Sequence, residues 1–220
     1  MSKVTVEIAA QHHEVVKRVV EVERQLDRWR ALGVAFDDGT RRRIVQQAWA
    51  FEPRRPDDIP LVSGGFGCDN PKALVSKMWD AITAPSGFKK ARLSMDQAKS
   101  FCYASGMKPR SGLRLVHYRH NTYAGFSPEQ AFTLAGMDRV QLASIEVFEK
   151  LLVDPDSARS WDGRKIFYPN LSGLYAKYDN TWLDVPHLYH EVGGDRKLAM
   201  HVRWSREAHR GYCSPTITEC

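Results

Sequence analysis

Along the first thirty-three residues one stripe of positions returns at alternating spacings of four and three: Ile8, His12, Val15, Val19, Val22, Leu26 and Trp29. That rhythm predicts one long amphipathic helix over residues 1–33, closed by Gly33 where a left-handed residue belongs. The same rhythm is the seam of a coiled coil. Val16 and Val20 broaden it, as in a helix that faces its own domain, and His12 weakens the seam. Docking of this helix onto residues 34–220, a single α+β domain, is the expectation. A homodimer zipped through residues 8–29 is the alternative.

Downstream the periods are shorter. "RRRIVQQAWAF" (41–51) reads as a helix capped by Asp38 or Thr40, with Ile44, Val45, Ala48 and Trp49 inward. "EPRRPDDIP" then carries three prolines, which a helix interior excludes, and marks a surface loop and a candidate subdomain boundary. "SGGFGCDNPKALVSKMWDAI" lacks the spacing of a phosphate-binding glycine loop; Asn70 as cap and Pro71 in the first turn account for it as a plain helix start. "SMDQAKSFCYASG" predicts a short helix from the Ser94–Gln97 capping box to Gly106, with Cys102 as a buried thiol. "GLRLVHYRHN" reads as a strand. Residues 127–153 read as helix, with Ser127 as cap, Pro128 in the first turn, Gln130 completing the box and Gly136 as a break point. Beyond Asp154 the chain turns to loops and strands. Helices first and strands later imply an α+β fold: a long N-terminal amphipathic helix and several short helices on a small, mainly antiparallel sheet.

The last long stretch allows a register to be derived. In "DVPHLYHEVGGDRKLAMHVRW", Leu188, His190 and Val192 share one parity, as do Leu198, Met200, Val202 and Trp204. Matching apolar to apolar across a three-residue turn, Gly193 to Asp195, sets Val192 against Arg196, His190 against Leu198 and Leu188 against Met200. Glu191 then meets Lys197, and His187 meets His201. Two facing histidines suit a shared metal ion or proton transfer, with Glu191 or Cys213 as a further ligand; the plainer expectation is a solvated pair on an outer sheet face. His117 and His120, three apart on a strand, point to opposite faces and do not share a metal.

Composition narrows the classes. A chain of 220 residues with 43% hydrophobic and 26% charged residues has enough apolar side chain for a sizeable core. No run of 18 apolar residues suggests a membrane span, and the N-terminus lacks a signal-peptide pattern, so a cytoplasmic protein is expected. Cys68, Cys102, Cys213 and Cys220 form no C-x-x-C pair, so neither a disulfide framework nor a structural zinc site is expected. Asn170-Leu171-Ser172 matches a glycosylation acceptor that such a chain would leave unmodified. No nucleophile or cofactor motif is present.

The formal net charge is +6, and it is concentrated. Between Asp80 and Glu129 a single acid, Asp96, stands against eight cations. Lys89, Lys90, Arg92, Lys108, Arg110, Arg114 and Arg119, with Tyr118 as a stacking surface, are thus the candidate interface for nucleic acid or another polyanion, read with little sequence specificity. Two other classes stand beside this expectation. One is a small hydrolase-type enzyme using the histidines of the C-terminal hairpin; the other is an assembly protein acting through its first helix.

Overall fold

A computed structural model describes residues 3–66, 101–104, 106–108, 110–161, 165–178, 182–190, 198–204 and 206–220. Its first element, α1, runs from Lys3 to Ala31, and Gly33 after it has a φ of 85°. Val19, Val22, Leu26 and Trp29 are buried in the protein's own core. This half of the stripe docks on its own domain because α1 lies along β1 (Ile59–Ser63), an edge strand with unpaired backbone groups. The Gln25 amide donates to the Pro60 carbonyl (3.1 Å) and accepts from the Val62 N–H (2.8 Å). The Trp29 indole donates to the Val62 carbonyl (2.9 Å). The fit is close: a Cβ on Gly65 would stand 2.6 Å from the Trp29 ring.

Helix α2 spans Asp38–Trp49, and its N-cap is Asp37, whose carboxylate accepts from the Thr40 N–H, rather than Asp38 or Thr40. Ile44 and Ala48 are inward as expected, but Trp49 is 51% exposed. Phe51, two residues past the helix, takes the inward place instead and stacks on His117 at 4.3 Å. The proline-rich loop is exposed from Glu52 to Asp57 and leads β1 into the same core as α1.

Strand β1 pairs with β3 (Arg114–Arg119), and the sheet order is β1, β3, β10 (Thr216–Glu219), β4 (Gln141–Leu142), all antiparallel. Every residue of β3 is buried. Helix α3 (Pro128–Asp138) has the Ser127–Gln130 capping box and Pro128 in its first turn. It ends at Arg139, left-handed with φ 55°, so the break falls there and Gly136 stays within the helix. Helix α4 (Ile145–Val153) is buried along its whole length.

A second antiparallel sheet has the order β2 (Phe101–Tyr103), β6 (Leu174–Tyr178), β7 (Trp182–His190), β8 (Leu198–Trp204). Residues 101–103 are therefore strand where a helix is expected, and Cys102 is exposed. The Phe-Cys-Tyr triplet has strand-favouring aromatics, and pairing with Leu174–Ala176 decides its state. The derived hairpin register holds: His190 faces Leu198, Leu188 faces Met200 and His187 faces His201. The turn Gly193–Asp195, the Glu191–Lys197 and Val192–Arg196 pairs, the helix start at Asn70–Pro71 and the Ser94–Gln97 box lie outside the described residues. A short parallel pair, β5 (Tyr168–Pro169) with β9 (Tyr212–Cys213), joins the second sheet through a bridge between Asn170 and His187. Among the described residues no helix is long and apolar enough to cross a membrane.

Candidate functional site

Among the described residues of the basic segment, Arg114, Tyr118 and Arg119 do not share a surface with Lys108 and Arg110. Lys89, Lys90 and Arg92 lie outside the described residues, while Lys108 and Arg110 are exposed. Arg114, Tyr118 and Arg119 sit on the central strand β3 and are buried, which removes them from any phosphate-binding face. Carboxylates from other elements neutralise the two arginines. Arg114 Nε is 3.1 Å from Glu219 and its Nη2 is 3.6 Å from Glu146, with Nη1 donating to the Arg110 carbonyl (2.6 Å). Arg119 pairs with Asp58 at 2.5 Å and with Asp57 at 3.2 Å. Three of the eight proposed contact residues are thus internal ion-pair or core groups.

Further buried titratable groups lie around the same strand. His120 Nε2 donates to the Phe167 carbonyl (2.8 Å), which leaves Nδ1 to accept from the Tyr118 hydroxyl (3.0 Å). Burial pushes His120 down to about 4, and burial raises the Tyr118 hydroxyl well above its ordinary range. Glu149 accepts from the Ser63 hydroxyl (2.6 Å) and from the Gly64 N–H (3.0 Å). Burial, and then the neighbouring Glu146 carboxylate, push Glu149 up to about 7. His117, stacked on Phe51 with Asp58 at 3.8 Å, and His120, beside Trp161, occupy different surroundings, in keeping with their strand spacing.

The hairpin histidines have a different setting. His187 is only 7% exposed, so it is not on a solvated outer face. The bridged, fully buried Asn170 and the Tyr189 and Tyr212 rings stand around it. Its ring meets Tyr212 edge-on at 5.0 Å and Tyr189 at 5.5 Å. Tyr212 in turn contacts Tyr168 (5.5 Å) and His209 (5.0 Å). Across the strands the backbone register runs Asn170, His187, His201.

Asn170 is the residue that sequence reading missed as a site residue. It was visible only as a glycosylation acceptor, and at 0% exposure it cannot serve as one. Its backbone is pinned, the N–H donating to the Cys213 carbonyl (2.7 Å), with the next N–H donating to the Pro186 carbonyl (2.7 Å). Its side chain is not: among the described residues neither Oδ1 nor Nδ2 has a hydrogen-bond partner. Ser172 and Ser214, buried nearby, satisfy each other at 2.7 Å.

Cys213 does not complete the cluster. Its thiol points at the Phe167 and Tyr168 carbonyls (3.8 and 3.7 Å), and burial raises it well above its ordinary value. Glu191 lies outside the described residues, and among those described no three His, Cys, Asp or Glu side chains converge as a metal site. What the row offers is a buried imidazole, an unengaged amide and a wall of tyrosines. Comparison with protein-family models, with curated proteins and with solved structures finds no match to this chain.

Proposed function

We propose that the protein is a small hydrolase-type enzyme whose site is the row Asn170, His187, His201. The observation that carries this reading is Asn170: a fully buried amide whose Oδ1 and Nδ2 have no hydrogen-bond partner among the described residues, on a strand bridge directly opposite a buried histidine. Burying an amide without partners costs about 1–3 kcal/mol, and such groups are few in folded proteins. That cost is offset when a substrate supplies the missing partners. In the reaction His187 removes a proton from water as the water oxygen attacks a carbonyl or phosphoryl centre. The imidazolium formed at His187 then gives that proton to the leaving oxygen, and His201 is its partner in the strand register. Asn170 holds the polar group beside the reacting centre, and Tyr189 and Tyr212 exclude bulk water. The polyanion reading has less support, because Arg114, Tyr118 and Arg119 are withdrawn from the surface.

The test is hydrolysis of p-nitrophenyl acetate, p-nitrophenyl phosphate and bis(p-nitrophenyl) phosphate, with EDTA or with added zinc or manganese. Turnover of one ester class is expected, falling about 100-fold or more in His187→Gln and His201→Gln with unchanged circular dichroism. No turnover of any of the three by the wild type, or full activity in both variants, overturns the proposal.

A further inference from the structure

The stripe of α1 is longer than the body it docks on. From Val19 to Trp29 it is buried, but residues 9–14 are exposed and Val15 is half-buried. There α1 and the end of α2 bound a groove of about 540 Å³, lined by Gln11, Glu14, Val15, Arg18, Trp49 and Phe51 among others. Trp49, half exposed at the end of α2, forms part of its wall. The Arg18 guanidinium lies over the Phe51 ring at 5.9 Å, and its Nε is buried without a hydrogen-bond partner among the described residues.

We propose that this groove is the contact surface for a second copy of the chain, filled by the same half of the partner's α1 lying antiparallel across a two-fold axis. A two-fold contact must be self-complementary: what residue i meets in j, j meets in i. Glu14 and Arg18 both line the groove and stand one turn apart. An antiparallel pair centred between them therefore sets each Glu14 carboxylate against the other copy's Arg18 guanidinium, twice. Within its own chain Glu14 is hydrogen-bonded to Lys17, in a surface pair with both side chains more than half exposed, and feels the charges of His13 and Arg18 more weakly; such exposed pairs are readily exchanged for partners across an interface. The apolar part of the contact is Val15 and the half-exposed Trp49, over a floor that includes the buried Phe51. The register does not need the lower half of the stripe, which the domain has already used.

Charge exchange tests this. The wild type is expected to show a concentration-dependent mass by sedimentation equilibrium, rising toward twice the monomer. Glu14→Arg and Arg18→Glu, each alone, place like charges opposite each other and are expected to weaken association at least tenfold. Mixing the two single variants restores opposite charges in both pairs and is expected to return the dimer. Trp49→Ala is expected to weaken association while leaving the thermal midpoint of the monomer unchanged. A wild type that stays monomeric at every concentration overturns the proposal. So does a dimer that both single variants leave intact, since that dimer uses another surface.

Discussion

Two buried polar regions of this protein, one on β3 and one at the Asn170–His187 bridge, differ in how their polar groups are met. On β3 the charges are matched: Arg119 has Asp57 and Asp58, Arg114 has Glu146 and Glu219, and Tyr118 has His120. At the Asn170–His187 bridge the amide is left without a protein partner among the described residues. The difference teaches how to separate structure from function inside a core. A buried polar group whose partners are all present belongs to the fold. Arg114 and Arg119 have guanidinium nitrogens without a hydrogen bond but with carboxylates beside them, whereas the Asn170 amide has neither among the described residues.

The largest effect that bears on this contrast is expected at Arg119. Arg119→Met leaves the buried Asp58 carboxylate uncompensated, and breaking such a pair by one partner costs about 3–5 kcal/mol. A fall of that order in the unfolding free energy measured by urea denaturation is expected, with much of it recovered in the double variant Arg119→Met, Asp58→Leu. A single variant as stable as wild type would place this pair among surface charges.

Next in size is pH dependence, where two buried groups act in opposite directions. His120 titrates at about 4 in the fold against an ordinary 6.5. As pH falls below 6.5 the unfolded chain takes up a proton the folded one refuses, and stability is lost down to about 4. Glu149 titrates at about 7 against an ordinary 4.5. Its folded carboxyl keeps a proton that the unfolded chain has released, so stability falls as pH rises from 4.5 to 7. Across the shared window the two slopes oppose each other. Glu149→Gln removes the second slope, so its stability relative to wild type is expected to grow by roughly 3 kcal/mol between those limits. Chemical unfolding at pH 4.5, 6 and 8 measures it; parallel profiles for the two proteins would mean that Glu149 titrates as an ordinary carboxylate.

The smallest effect is the most pointed. Asn170→Leu removes an amide that has no partner, so a gain of about 1 kcal/mol, or no change, is expected in the unfolding free energy. The same variant is expected to lose hydrolytic activity, the trade of stability against function that a strained site shows. A clear loss of stability would mean that the amide is engaged within the fold.

How much of this was readable beforehand follows from how far apart the deciding residues lie. The α1 stripe, Gly33, and the Ser127–Pro128–Gln130 start of α3 were legible because each depends on neighbours within a turn or two. The His187–His201 register was legible because a short turn and strand parity determine it together. The strand at Phe101–Tyr103 was not, since its partner β6 lies some seventy residues away. Trp49 had the right spacing to be inward, but Phe51 beyond the helix end reached the core first. Of the candidate polyanion surface, Arg114, Tyr118 and Arg119 are buried, which strand alternation alone did not reveal. The carboxylates that cancel Arg114 and Arg119 come from Asp57, Asp58, Glu146 and Glu219, none of them within the basic segment.

Local rules alone therefore determined the α+β class, the long first helix, the Ser127–Gln130 cap of α3 and the pairing of the C-terminal hairpin. Those features rest on backbone hydrogen bonds and periodicities confined to short stretches. Only the tertiary structure decided which half of α1 is buried, which arginines are neutralised, and that Asn170 stands across from His187. Each of those outcomes is set by which distant group arrives at a given point in the core, because burial and charge pairing depend on proximity in space and not along the chain.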